Sequence, residues 1–356
     1  MNFNIDSEDE RLAAKNLFDG NLVHGAKRFH HETARSGKGR PASGYIVPAH
    51  AKVVEDTGCD QYQRKEEFWE AVDICPVCGS KSQTDFLQRY GLNIVRCSDC
   101  NHRYQNPRIK FDKLTELYAN DPSPVKVYNS EMQKSIDWVK YNYGLSLVEQ
   151  IDSNSKNKIL DIGCGAGGFL YAAHEQGWKQ CVGVDINENW ASNYSDSEAV
   201  QFINSTYESL SEDTIGSQYD VVSMWNVLEH MTDLHFTVST IKKLLKPGGL
   251  FFIMVPNVES LASRIIRSLS PTFNWKHVSH FCHESLSTLM SNHEFSECHF
   301  ETAITEIDNI KSYLSGEYPY HGHGDPDGLF DFITPEYIHA NHLGSRIIAI
   351  YKNDKS

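Results

Sequence analysis

The stretch Lys158-Ile-Leu-Asp-Ile-Gly-Cys-Gly-Ala-Gly-Gly-Phe-Leu170 decides the fold. An apolar run of strand length meets four glycines, and Phe169, Leu170, Ala172 and Ala173 then take up a helical pattern. Strand, glycine turn and helix start, in that order, put backbone N–H groups and a helix N-terminus at the mouth of a parallel sheet. Side chains in the turn would hold a ligand off the backbone, so glycines occupy it. A small polar ligand is expected across the loop.

Downstream, strand-like runs alternate with helical stretches, the pattern of a parallel α/β sheet. Strands are expected at 159–162, 181–186, 200–204, 219–225 and 250–255, with two more at 295–300 and 346–351. The fold class is therefore α/β, a Rossmann-like doubly wound sheet of seven strands. Asp185 ends the second strand, where an ionised carboxylate can accept both hydroxyls of a ribose. Between the last two strands lies an insertion at about 303–344. Its Tyr318–Gly328 stretch holds His321, His323 and Asp325 among glycines and prolines. A surface loop is expected there, and a substrate lid if it has a function.

Upstream, Cys75-Pro-Val-Cys78 and Cys97-Ser-Asp-Cys100 form two CxxC knuckles with eighteen residues between them. Each knuckle turns two thiolates to one side, and four thiolates close a tetrahedral zinc site. Strands at 86–90 and 92–96 around Gly91 complete a small N-terminal zinc ribbon. With no open coordination position, its zinc is expected to be structural. The chain thus divides into an N-terminal extension (1–72), the ribbon (73–110), a helical linker (111–155) and the α/β domain (156–353). In the extension, 12–18 and 65–72 have helical patterns. The basic stretch from His24 to Pro41 is expected to be a solvated, partly disordered arm, or else a cover over a negatively charged substrate. In the linker, 114–118 and 130–151 have the apolar spacing of helices, the longer one beside the first sheet strand.

The 356 residues are 40% hydrophobic, enough for a sizeable core, and carry a net charge of −14. That charge disfavours nucleic acid as a partner. No apolar run is long enough to span a membrane, and the acidic amino terminus does not resemble a signal peptide. Nine cysteines, four of them in metal-type pairs, fit a reducing cytoplasm.

Two cofactors compete for the glycine turn. Gly163, Gly165 and Gly168 satisfy GxGxxG, with Asp185 where a nicotinamide dinucleotide wants its acid. Asp161, however, stands two residues before the first glycine and would repel a pyrophosphate. It suits an ammonium group, which S-adenosylmethionine (SAM) carries beside its sulfonium. Asp161-Ile-Gly-Cys-Gly-Ala-Gly167 resembles the first motif, DxGxGxG, of the class I SAM-dependent methyltransferases. Tyr219-Asp-Val-Val with Val227-Leu-Glu-His230 resembles their fourth-strand motif, and Leu244-Leu-Lys-Pro-Gly-Gly249 the turn before strand five. Cys75–Arg108 is similar to the zinc ribbon of a subgroup associated with surface-polysaccharide and natural-product pathways. The resemblance covers about 73–300.

It implies that Asp161, Gly163, Gly165 and Gly167 hold the methionine part of SAM and Asp185 its ribose. Thr206 or Tyr207 would lie beside the adenine, and Trp225 and Asn226 near the methyl-bearing sulfur. Methyl transfer needs an aligned nucleophile and, for a hydroxyl, a base. Histidine suits that task. His277 and His280, in Asn274–Phe281 after strand five, are the candidates, His277 first. Glu229 and His230 read as packing of the fourth-strand motif. The expected reaction is O-methylation of a sugar or other small polar metabolite, a small-molecule or glycan acceptor. Two other functions compete: a methyltransferase of RNA or protein that recognises its substrate through the ribbon, and a non-catalytic zinc-ribbon adaptor.

Overall fold

A computed structural model of the chain describes residues 7–16, 66–89, 92–120, 131–153, 156–194, 200–206, 209–210, 215–307, 310 and 333–354. The basic stretch 24–41, Tyr207 and the Tyr318–Gly328 loop lie outside the described residues. A first helix, α1, covers 8–16.

The expected helix at 65–72 is instead a 3-10 turn, Glu66–Phe68, running into a two-residue strand, β1 (Trp69–Glu70). It pairs antiparallel with β5 (Arg108–Ile109), setting Trp69 opposite Ile109 and Glu70 opposite Arg108. The partner lies about forty residues away, and a buried Trp–Ile contact with a 2.7 Å ion pair overrides the local helical spacing.

β2 (Gln83–Arg89), β3 (Leu92–Cys97) and β4 (Arg103–Gln105) form an antiparallel meander. After it come α2 (Phe111–Asn120) and the long α3 (Glu131–Ile151). The main domain then runs through β6 (Lys158–Ile162), α4 (Gly168–Glu175), β7 (Gln180–Asp185), β8 (Val200–Asn204) and β9 (Tyr219–Trp225). It continues with α5 (Leu234–Leu244), β10 (Leu245–Pro256), α6 (Leu261–Ile266), β11 (Ser279–His280) and α7 (His283–Ser291). β12 (Phe295–Ala303), α8 (Pro335–Ala340) and β13 (Arg346–Asn353) complete it.

The main sheet has seven strands in the order β12-β13-β10-β9-β6-β7-β8. The β8-β7-β6-β9-β10 ladder is parallel, and β13 runs antiparallel to both neighbours. This is the expected fold class. Strand residues alternate between two cores: Leu160, Val222, Phe251 and Ile253 face one, and Ile159, Val221, Phe252 and Met254 the other. Each fully buried side chain of this kind contributes about 1.5–3 kcal/mol. The strand order reverses between β6 and β9, so their carboxyl ends open a crevice at the switch point of the sheet.

β11, which belongs by sequence to the α/β domain, pairs antiparallel with β4. The four-stranded sheet β11-β4-β3-β2 is therefore built from both parts of the chain. Cys75, Val77, Val95, Cys97 and Cys100 share one core with Phe281, Leu286, Leu289 and Met290. No helix among the described residues is long and apolar enough to cross a membrane.

Candidate active site

β6 delivers Asp161 to the crevice, and the chain then turns through Gly163, Gly165 and Gly167, all at positive φ. At Gly163 (φ 74°) a Cβ would stand 2.4 Å from Val227 Cγ2, and at Gly167 (φ 78°) 2.8 Å from the Tyr194 ring. Glycine is needed at both for backbone conformation and for close approach. Asp161 is 3% exposed and accepts 2.6 Å from the Ser223 hydroxyl. Burial pushes its carboxyl up to about 8, with the Ser223 bond opposing.

At the end of β7, Asp185 accepts from the Gly165 N–H (3.0 Å) and the Asn187 N–H (2.9 Å). Burial raises its pKa and those two N–H groups oppose the rise. A carboxylate has about four acceptor positions, so each oxygen keeps one for a ligand hydroxyl. Thr206 and Trp190 lie on the same wall. Trp225 packs on Phe252, Phe169 and Tyr141, and its indole N–H has no partner. Asn226 follows at φ 55° with an unpartnered side-chain oxygen.

Asp161, Gly163, Gly165, Asp185, Trp190, Thr206, Trp225 and Asn226 line one cavity of about 850 Å³, with Gly167 outside its lining; Tyr118, Glu229, His230, His277 and Arg346 line the same cavity. The His277 Nδ1–H points at the Thr272 carbonyl (2.8 Å), and burial holds the ring neutral. His230 Nδ1 lies 2.8 Å from the Lys276 carbonyl and 2.8 Å from the Tyr118 hydroxyl. Burial takes its pKa down to about 4. Glu229 is 1% exposed with neither carboxylate oxygen hydrogen-bonded, and burial pushes it up to about 8. His280 sits elsewhere: on β11, 1% exposed, against Phe273 and outside the cavity lining. Pairing of β11 with β4 turns it into the interface between the two sheets, so of the two histidines His277 is the one that reaches the cavity.

The four knuckle cysteines converge. Cys75 Sγ is 3.5 Å from Cys100 Sγ, Cys78 Sγ is 3.5 Å from Cys97 Sγ, and all four lie within 4.8 Å of one another. Sulfurs about 2.3 Å from a tetrahedral zinc stand about 3.8 Å apart, whereas a disulfide needs about 2 Å. The donor set fits zinc. His102, two residues beyond Cys100, faces the Ser279 hydroxyl.

Residues 128–299 match the profile of a methyltransferase-domain family. Over this span, just under half of the chain, the sequence is similar to methyltransferase domains. Among curated relatives, a ubiquinone biosynthesis O-methyltransferase of Pseudomonas aeruginosa is 29% identical over 153 residues, 42% of this chain and 61% of that protein. Its namesake in Azoarcus sp. is 27% identical over 169 residues, 46% and 62% of the two chains. The match thus spans about three fifths of the length of these relatives. Among solved structures, the plantazolicin methyltransferase BpumL in complex with SAH aligns at TM-score 0.46 and 15% identity, over 68% of this chain and 94% of that one. A SAM-dependent methyltransferase from Archaeoglobus fulgidus aligns at 0.44 and 20%, over 65% and 100%.

Of the residues singled out in the sequence for the cofactor, Asp161, Gly163, Gly165, Asp185, Thr206, Trp225 and Asn226 share the lining of this cavity. Three contributors escaped sequence reading. Tyr118 and Tyr141 come from the linker helices α2 and α3, and Arg346 from the start of β13. Glu229 lines the cavity although its motif reads as packing.

Proposed function

We propose that the protein transfers a methyl group from SAM to an oxygen of a sugar or other small polar metabolite. The observation that carries this reading is the single cavity, with a donor end built by the β6 and β7 termini and an acceptor end built by histidines. When bound, SAM supplies a methyl group already activated on sulfonium. Asp161 would face its ammonium, the turn at Gly163, Gly165 and Gly167 would let its methionine part lie against backbone, and Asp185 would take the ribose hydroxyls. Thr206 or Tyr207 would border the adenine, and Trp225 and Asn226 the sulfonium. His277, whose Nδ1–H is tied to Thr272, presents Nε2 as the acceptor for a hydroxyl proton. Small-molecule O-methylation agrees with the names of the curated relatives.

The four cysteines would hold a structural zinc, which suits a reducing, cytoplasmic setting. Metal analysis should return about one zinc per chain, lost when Cys75 and Cys97 become Ser. Calorimetry with SAM tests the donor end: no binding, or binding untouched by Asp185→Ala, sinks the reading. A panel of hydroxylated acceptors scored for methyl incorporation tests the other end. His277→Ala should slow turnover about 100-fold or more while SAM affinity stays within about twofold.

A further inference from the structure

One buried group is left over from this reading. Glu229 lies inside the cavity wall with both oxygens unpartnered. A buried carboxylate without hydrogen bonds is costly, and proteins keep such groups for a ligand. Arg346, the guanidinium of the same wall, donates to the Ser345 carbonyl (3.1 Å) and acts on Glu229 only through its charge. The nearest cationic candidate, His230 Nε2, is 3.8 Å from Glu229 Oε1. That is too long for a hydrogen bond.

Donor atoms of Glu229, His230 and His277 all lie within 4.8 Å of one another. Both imidazoles are held in the arrangement that metal ligands use. Each points Nδ1–H at a backbone carbonyl 2.8 Å away, Lys276 for His230 and Thr272 for His277. That leaves the Nε2 lone pairs for the cavity, where the Tyr118 hydroxyl stands 3.5 Å from His230 Nε2. Two histidines and one carboxylate, with the remaining directions open to a cavity, form a three-ligand site for a divalent transition cation. Ligands of such a cation stand about 3 Å apart when each is about 2.1 Å from it, so small side-chain rotations would close the set.

We propose that Glu229, His230 and His277 bind a divalent cation of the manganese-to-zinc series at the acceptor end of the cavity. The open coordination positions face the cavity and take the acceptor hydroxyl. A cation bound there would lower the pKa of the ligated hydroxyl, whose proton would pass to water. The resulting oxyanion attacks the methyl carbon, the carbon–sulfur bond breaks, and its electron pair stays on sulfur as a neutral thioether. With the cation bound, activation of the hydroxyl passes to the cation, and the Nε2 lone pair assigned above to proton transfer serves as a ligand instead. This chemistry rests on the methyl-transfer reading, but the cation site itself does not.

The test is a titration of the zinc-loaded full chain with Mn2+, counting free Mn2+ by its paramagnetic resonance signal. One Mn2+ per chain is expected beyond the cysteine-bound zinc. Glu229→Gln and His277→Ala should each weaken it at least tenfold, with zinc content and circular dichroism unchanged, and Asp185→Ala should leave it intact. If Glu229→Gln does not fold, His277→Ala alone decides. No Mn2+ uptake by the wild-type chain, or uptake that the folded variants leave unaltered, overturns the site. A chain that binds Mn2+ but not SAM keeps the cation site and sinks the methyl-donor reading.

Discussion

Asp161 has to be both buried and charged when a cationic ligand arrives. Its carboxyl is pushed up to about 8 by burial, so in the donor-free protein it is largely protonated at pH 7. The unfolded chain releases that proton near pH 4, so the folded state binds the extra proton and loses stability as pH rises from about 4 to about 8. Asp161→Asn should remove this slope and raise the melting temperature of donor-free protein by about 3–6 °C at pH 8, with little change at pH 4. Binding of an ammonium ligand should expel the proton. Calorimetry of SAM at pH 7 in buffers of differing ionisation heat should show a release that Asp161→Asn lacks. Gly163→Ala meets Val227 at a positive φ, and chemical denaturation should record a loss of about 1–3 kcal/mol. Such residues were legible because turn, glycine and acid are neighbours in sequence. Glu229 was not, because its environment is made by His277 and Arg346 from elsewhere in the chain.

Among elements, β4 governs the acceptor end. Gln105, fully buried, donates to the carbonyls of Asn274 (2.8 Å) and His277 (2.9 Å), and its N–H reaches the Val278 carbonyl. Arg108 likewise donates to the Thr232 carbonyl, just beyond His230. The ribbon side of the molecule thus grips both loops that bear the cavity histidines. Gln105→Ala should cost about 1–3 kcal/mol in denaturation and cut methyl transfer about tenfold, while SAM affinity stays unchanged. An unchanged turnover would disconnect the ribbon from the site. The knuckles and the main strands could be read from spacing and alternation alone. β1 and β11 could not, since strands of two residues have no period and exist only through partners that the fold brings to them.

At the scale of the whole molecule, α1 is tied to the far side of the α/β domain. Lys15 forms a 2.6 Å ion pair with Glu301, which also accepts 2.8 Å from the Tyr143 hydroxyl. Burial pushes Glu301 up, but His299 and Lys15 outweigh it and bring its pKa down to about 2. Stability from this carboxylate is therefore present above about pH 4.5 and lost as pH falls toward 2. Lys15→Met leaves Glu301 with Tyr143 and His299 alone, and denaturation at pH 7 should show a loss of about 1–3 kcal/mol that shrinks on acidification. Nothing in the spacing of residues 8–16 announces this pair, because its partner lies almost three hundred residues away.

The strand that β11 lends to the β4 edge also sets how this protein can be rebuilt. A ribbon exchanged for that of a relative along the boundary at residue 110 would arrive with its edge unmatched. It would lack the Asn274–His280 segment to which Gln105, Tyr104 and Arg103 are fitted. The transferable cassette is therefore discontinuous: residues 73–110 travel together with 270–282, or neither part keeps its register.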